Sequence, residues 1–294
     1  MEYREFGRAK ARVSTIGMGT YFDAFQIAAS HIWGWSGRED KVAALKKGIE
    51  LGINLIDTAE IYNTEPLVAE AISDHKREDL FIATKVWRSH LKYQDVLKAA
   101  QRSLEKLHCN YIDLYQIHWP NSKVPIKETM RAMEKLVDNG KVRHIGVSNF
   151  SLSQMRETEE ALSKYELVSN QVEYNLIVKD ITVGVYPLSK EADIDLLAYC
   201  ERNGVVTLAY RPIAHGALAS PSGRLKEVMD EISQKHGGKT PAMIGLNWLL
   251  RQGKLVFPIP RASRPARVVE NTGAVGWSLD PDDLTLTFSP SASF

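Results

Sequence analysis

The chain has 294 residues, 37 of them basic and 36 acidic, for a formal net charge of +1. That balance leaves no electrostatic footprint for nucleic acid or an anionic membrane. A chain of this length buries roughly three quarters of its unfolded surface, so one α/β domain over residues 1–294 needs no covalent staples. The two cysteines, Cys109 and Cys200, lack CxxC or metal-ligand spacing. The first residues lack the apolar core of a signal peptide, and no apolar run reaches the ~18 residues of a membrane span. A cytoplasmic protein without a metal centre is expected.

Residues 3–6 and 10–13, separated by Gly7, are predicted as a small hairpin, with a first strand over 13–20. Residues 21–38 read as a long loop whose aromatics, among them Phe22, Phe25, Trp33 and Trp35, either pack as a plug or line a ligand site. From Glu39 the pattern repeats: helices over 39–51, 66–73, 93–107 and 126–139 alternate with strands ending at Asp57, Lys85, His118 and Asn149. A helix over 152–163, a strand over 167–173, an irregular stretch over 176–192, a helix over 194–203 and a strand over 205–210 follow. Helices over 224–235 and 241–251 precede a last strand over 256–260 and a helix over 265–275, and the tail from 284 loses helical patterning and is expected to fray. Eight strands alternating with helices imply a (β/α)8 TIM barrel preceded by a short β-hairpin, with its active site at the C-terminal strand ends. No GxGxxG fingerprint of an open dinucleotide-binding sheet is present.

Three successive strands deliver Asp57, Lys85 and His118 to one rim, and Tyr62 stands five residues beyond Asp57. A phenol is a poor acid, with a pKa near ~10, but an adjacent ammonium lowers that value. Lys85 is predicted to act on Tyr62 in this way, with Asp57 holding the lysine charged. Each residue alone has a plain structural reading: an aspartate capping a turn, a solvated lysine, a core histidine. Their convergence on one barrel face points instead to a proton donor.

The motifs Gly17-Met18-Gly19-Thr20, Asp57-Thr58-Ala59-Glu60-Ile61-Tyr62, Thr84-Lys85-Val86-Trp87, Gln116-Ile117-His118-Trp119-Pro120, Gly146-Val147-Ser148-Asn149-Phe150, Gln171-Val172-Glu173-Tyr174-Asn175 and Ile259-Pro260-Arg261 occur in order. In these the chain resembles the aldo-keto reductases over nearly its whole length. The resemblance implies reduction of aldehydes or ketones to alcohols, reversibly, with NADPH, NADH being possible. It assigns Asp57, Tyr62, Lys85 and His118 as the catalytic residues. It implies that Ser148, Asn149 and Gln171 hold the nicotinamide carboxamide and that Tyr210 stacks on the ring. Pro212, Ile213, Gly216 and Leu218 match a loop over the pyrophosphate. Arg261, Ser263, Arg264 and Arg267 match the 2′-phosphate site, although Ala262 removes one hydroxyl the family usually has, and Glu270 and Asn271 match adenine contacts. Tyr21, Trp87 and Trp119 match pocket positions, with Trp33 and Trp35 as additions. The partner expected is a small carbonyl or alcohol substrate, and the protein is expected to be a monomer or small homo-oligomer. Two other readings stay open: a cofactor-binding sensor on the same fold, and a lyase forming a Schiff base through Lys85.

Overall fold

A computed structural model describes residues 1–179 and 196–288 of the chain. Strands β1 (Tyr3–Glu5) and β2 (Arg12–Ser14) form the antiparallel hairpin. The main sheet follows, with its helices: β3 (Met18–Gly19), α1 (Ala24–Trp33), α2 (Arg38–Glu50), β4 (Leu55–Asp57), α3 (Glu65–Ile72), β5 (Phe81–Val86), α4 (Tyr93–Leu107), β6 (Ile112–Ile117), α5 (Ile126–Asp138), β7 (Val142–Ser148), α6 (Leu152–Ala161) and β8 (Leu167–Glu173). After the undescribed segment come α7 (Leu196–Arg202), β9 (Val206–Tyr210), α8 (Gly223–Lys235), α9 (Pro241–Leu250), β10 (Val256–Pro258), α10 (Pro265–Thr272) and α11 (Pro281–Phe288). Strands β3 to β10 are parallel and adjacent in chain order.

Main-chain bonds bring the first and last strands together: Gly17 N donates to Pro258 O at 2.9 Å and Gly19 N to Pro260 O at 3.1 Å. Gly19 is required at this seam, since a Cβ there would stand 2.8 Å from the Ile259 carbonyl oxygen. The fold is therefore the expected (β/α)8 barrel. Its N-terminal end is plugged by Phe6, whose ring lies 4.7 Å from Phe81 and 5.2 Å from Phe257. Leu55, Leu114, Val168, Val206 and Leu208 complete this inner apolar layer. A larger core lies between the sheet and its jacket of helices. Filling the lower barrel with hydrocarbon leaves the polar strand ends to gather at the opposite rim.

Three expectations need correction. The span 13–20 is not one strand: Val13 and Ser14 belong to the hairpin, and only Met18–Gly19 joins the barrel. The predicted loop over 21–38 contains α1, started by Asp23, whose side chain accepts from Phe25 N at 2.9 Å and Gln26 N at 3.1 Å. Only Ile27 and Ser30 of that helix are buried, so no apolar stripe announced it. The tail through residue 288 is helical rather than frayed, because Asp280 and Asp283 cap one another: Asp283 N donates to Asp280 Oδ1 and Asp280 N to Asp283 Oδ2, both at 2.9 Å. Residues 289–294, most of the irregular stretch over 176–192 and the first two residues of the helix predicted at 194 lie outside the described residues. Among the described residues, no helix is long and apolar enough to cross a membrane.

Candidate active site

Strands β4, β5 and β6 are short and fully buried, and Asp57, Lys85 and His118 stand at or just beyond their C-terminal ends. Lys85 is fully buried, and its Nζ donates to Asp57 Oδ1 at 2.6 Å and to the Thr58 carbonyl at 2.8 Å. Asp57 also accepts from Gln171 Nε2 at 2.9 Å. Tyr62 sits in a one-turn 3-10 segment, Glu60–Tyr62, and its hydroxyl lies 3.2 Å from His118 Nε2. The Lys85 ammonium stands 5.2 Å from the centre of the Tyr62 ring, over its face. The four residues are thus one cluster, with the ion pair beneath the ring and the imidazole beside the hydroxyl.

Strands β7, β8 and β9 extend the same network. Ser148 Oγ donates to the Gln171 carbonyl at 2.9 Å, and Asn149 Nδ2 donates to Ser148 Oγ at 3.0 Å and to the His118 carbonyl at 3.1 Å. Tyr210 donates its hydroxyl proton to Asn149 Oδ1 at 3.0 Å. Asn149 holds a left-handed backbone (φ 63°) at the strand exit, a conformation that asparagine tolerates better than most residues. Each bond fixes a rotamer at the mouth, which is what a site that must hold a ligand in one orientation requires.

Burial sets the charge states. The Tyr62 phenol is pushed well above its ordinary value, first by burial and next by the negative charge of Asp57. The net direction is therefore opposite to the expected lowering: burial and Asp57 outweigh the nearby ammonium, which is bonded to Asp57 and Thr58. His118 is held well below its ordinary value by burial and then by Lys85, so its imidazole is neutral and offers one donor and one acceptor. Burial also lowers Lys85, opposed by Asp57. At neutral pH the mouth therefore presents a protonated phenol against a neutral histidine.

Aromatic rings wall this mouth. The Tyr21 ring packs edge-on against Tyr62 at 5.1 Å, and Trp87 against His118 at 5.2 Å. Trp119, directly after His118 in the chain, is half-buried. Trp33 is placed elsewhere: it is 79% exposed and lines a separate cleft of about 650 Å³ with Phe22, Phe25, Trp35, Lys41 and the predicted phosphate residues. Arg261, Ser263 and Arg264 all reach that cleft. Neither arginine has an ion-pair partner among the described residues, and Arg264 immediately precedes α10, whose first amides lack a side-chain cap. Arg267 instead pairs with Glu270, and Asn271 is buried. In the segment 212–218, Pro212 is buried, Ile213 precedes a short 3-10 stretch containing Gly216 (φ 97°), and Leu218 is turned inward, fully buried.

Sequence reasoning missed three contributors. Glu60 accepts from Trp87 N at 3.0 Å, His90 Nδ1 at 2.9 Å and Arg102 at 2.8 Å, bracing the Trp87 wall; its place inside the Asp57–Tyr62 motif was the available signal. Lys41 joins the arginine cleft, and Asn63 follows Tyr62 with φ 55°. Neither carried a pattern that spacing alone could reveal.

Comparison with known proteins matches this architecture. The model of the Aldo/keto reductase family matches residues 16–287. Glyoxal reductase of Bacillus subtilis (strain 168) is 36% identical over 245 residues, covering 82% of this chain and 80% of that protein. The thermostable aldo-keto reductase Tm1743, solved with the inhibitor epalrestat, superposes with a TM-score of 0.83 at 36% identity over 98% of both chains. An aldo-keto reductase from Klebsiella pneumoniae, solved with NADPH, gives a TM-score of 0.79 at 30% identity over 98% of this chain and 94% of that one. By barrel, rim and match across nearly the full chain, this protein belongs to the aldo/keto reductase family.

Proposed function

We propose that this protein reduces small aldehydes and ketones, glyoxal-like dicarbonyls among them, with NADPH. The observation that carries this reading is the protonated Tyr62 hydroxyl, 3.2 Å from neutral His118 and above a buried Lys85–Asp57 pair, in a mouth walled by Tyr21 and Trp87. The residues fit the cofactor: Arg261 and Arg264 offer guanidiniums without an ion-pair partner among the described residues for a phosphate, and Ser148, Asn149, Gln171 and Tyr210 present an ordered polar surface for the nicotinamide end. When bound, NADPH supplies the hydride that reduces the carbonyl carbon. Tyr62 gives its proton to the carbonyl oxygen as negative charge develops there, and His118 orients that oxygen. A phenol with a raised pKa still serves, because the alcohol it forms is a far weaker acid, comparable with water at ~15.7. Lys85 and Asp57 place a fixed positive end beneath the ring. The ammonium is bonded to both Asp57 and Thr58, which disfavours the free amine that a Schiff base needs.

Fluorescence titration with NADPH, followed by single-turnover oxidation with glyoxal, tests the assignment. Tight binding without oxidation by any aldehyde would leave a sensor, and absence of binding would overturn it. Replacing Arg264 with alanine is expected to weaken NADPH roughly 10- to 100-fold and leave NADH affinity within twofold, since one charge-assisted bond to phosphate is lost. Equal weakening of both cofactors in the titration would place Arg264 away from the 2′-phosphate.

The pH dependence follows from the raised phenol. Reduction uses Tyr62 in its protonated form, which burial and Asp57 preserve, so its single-turnover rate is expected to stay flat from pH 6 to roughly pH 9. Alcohol oxidation uses the phenolate and is expected to rise by up to about tenfold per pH unit over the same range. Stopped-flow profiles in both directions read this out, and a falling reduction rate near pH 8 would contradict it.

A further inference from the structure

Trp35 touches both the arginine cleft and the turn that carries Tyr62. On one side it lines the cleft, its ring 5.6 Å from Phe22 and 5.5 Å from the Lys41 ammonium. On the other, its Nε1–H donates to the carbonyl of Asn63 at 2.8 Å, the residue directly after Tyr62. Asn63 is further held by α1: its Nδ2 donates to Ser30 Oγ at 3.0 Å, and Ser30 Oγ donates to the Ile27 carbonyl at 2.7 Å. Ile27, Ala59 and Tyr62 form a small buried cluster of their own, against which Trp35 and Ile61 pack. The backbone beside Tyr62 is therefore set in a left-handed conformation that α1 and Trp35 hold from outside the barrel.

The cleft wall is charged. Lys41 is buried, donates to the Ser36 carbonyl, and faces both the Phe22 ring at 5.2 Å and the Trp35 ring at 5.5 Å. Arg261 and Arg264 share the cleft with it, and Asp40 is the one carboxylate in its lining among the described residues. Three cations against one anion favour a phosphate, and a phosphate drawn in would fix the Phe22–Trp35 wall against them.

We propose that Trp35 is a positioning residue that couples occupation of this cleft by the phosphate-bearing end of the cofactor to the placement of the Tyr62 hydroxyl. The inference rests on the reductase reading given above. Its physical content is that binding energy from a part of the cofactor remote from the reaction appears in the chemical step, through one indole that contacts both places.

The test compares single-turnover reduction rates at saturating NADPH and saturating NADH, in wild type, Trp35→Phe and Ser30→Ala, with thermal melts as a check on folding. Both cofactors carry the same hydride, so a difference at saturation reports the phosphate. Wild type is expected to be about fivefold faster with NADPH. In Trp35→Phe, which keeps a ring and loses the N–H donor, the NADPH rate is expected to fall to the NADH rate, while the NADH rate changes less than twofold. Ser30→Ala loosens the turn without reaching the cleft, so it should lower both rates and preserve their ratio. If Trp35→Phe does not fold, Lys41→Gln carries the same comparison, with the same collapse of the ratio expected. Equal wild-type rates with the two cofactors, or equal loss of both rates in Trp35→Phe, would overturn the coupling. A wild type that oxidises neither cofactor would instead overturn the reductase reading.

Discussion

Tyr62→Phe is expected to lower single-turnover reduction about a thousandfold, within the 10²- to 10⁴-fold that a positioned proton donor contributes, while NADPH affinity stays within twofold. The substitution removes one oxygen and keeps the ring. The edge-on contacts with Tyr21 at 5.1 Å and His118 at 5.3 Å therefore persist, as does the packing on Ile27 and Ala59. The hydrogen bond to His118, the one side-chain bond of the Tyr62 hydroxyl among the described residues, is lost, which costs stability about 1–3 kcal/mol. Neither Tyr115, fully buried within β6, nor Tyr210, which already donates to Asn149, is free to replace it. Stopped-flow oxidation of bound NADPH gives the rate, and equilibrium titration gives the affinity. A residual rate above one tenth of wild type would move the proton to His118 or water and remove Tyr62 from its assigned role.

Much of this site could be read from residue order because its parts stand at strand exits. Short strands that alternate with helices and exit in a titratable residue mark both a barrel strand and the side chain at its mouth, which groups Asp57, Lys85 and His118 from residue order alone. Helix α4 (Tyr93–Leu107) and strand β8 (Leu167–Glu173) have the predicted bounds: strong periodicity defines the first, and the second, polar at Ser169, Asn170 and Gln171, stands out by its place in the helix–strand alternation. Helix α1 was hidden for the opposite reason: Phe25 is 80% exposed and Trp33 79%, so its aromatics carry no one-faced stripe and read as a long aromatic loop. The barrel seam and the Trp35–Asn63 bond both use backbone groups, which every residue carries and no composition reveals. The raised Tyr62 phenol was not legible in the sequence, because spacing brings an ammonium near it but shows neither the depth of its burial nor the negative charge of Asp57 beside it.

The Lys85–Asp57 pair separates stability from catalysis. Lys85→Met leaves Asp57 almost fully buried with Gln171 as its one side-chain donor among the described residues, and an uncompensated buried charge costs about 3–5 kcal/mol. For a chain of this size that corresponds to a fall in Tm of roughly 10 °C. Asp57→Asn is expected to cost a similar amount near pH 7, where the stranded ammonium of Lys85 must be discharged or left unpaired. Its loss has a definite sign with pH. The folded-state pKa of Lys85 then lies further below the ordinary ~10.4, so the unfolded chain holds more protons, and the stability of Asp57→Asn rises as pH increases toward that value. Lys85→Met has no such amine and should not recover on the alkaline side. Combining the two substitutions removes both charges, and the double variant is expected to lose less than about 2 kcal/mol, well short of the sum of the singles. All three variants should nonetheless lose most reductase activity, because the positive end beneath the Tyr62 ring is gone or misplaced. Chemical denaturation at pH 7 and pH 9, paired with single-turnover rates, distinguishes the cases. Additive losses in the double variant would mean that the two residues support the fold through separate contacts, and recovered activity there would mean that the phenol works without the pair.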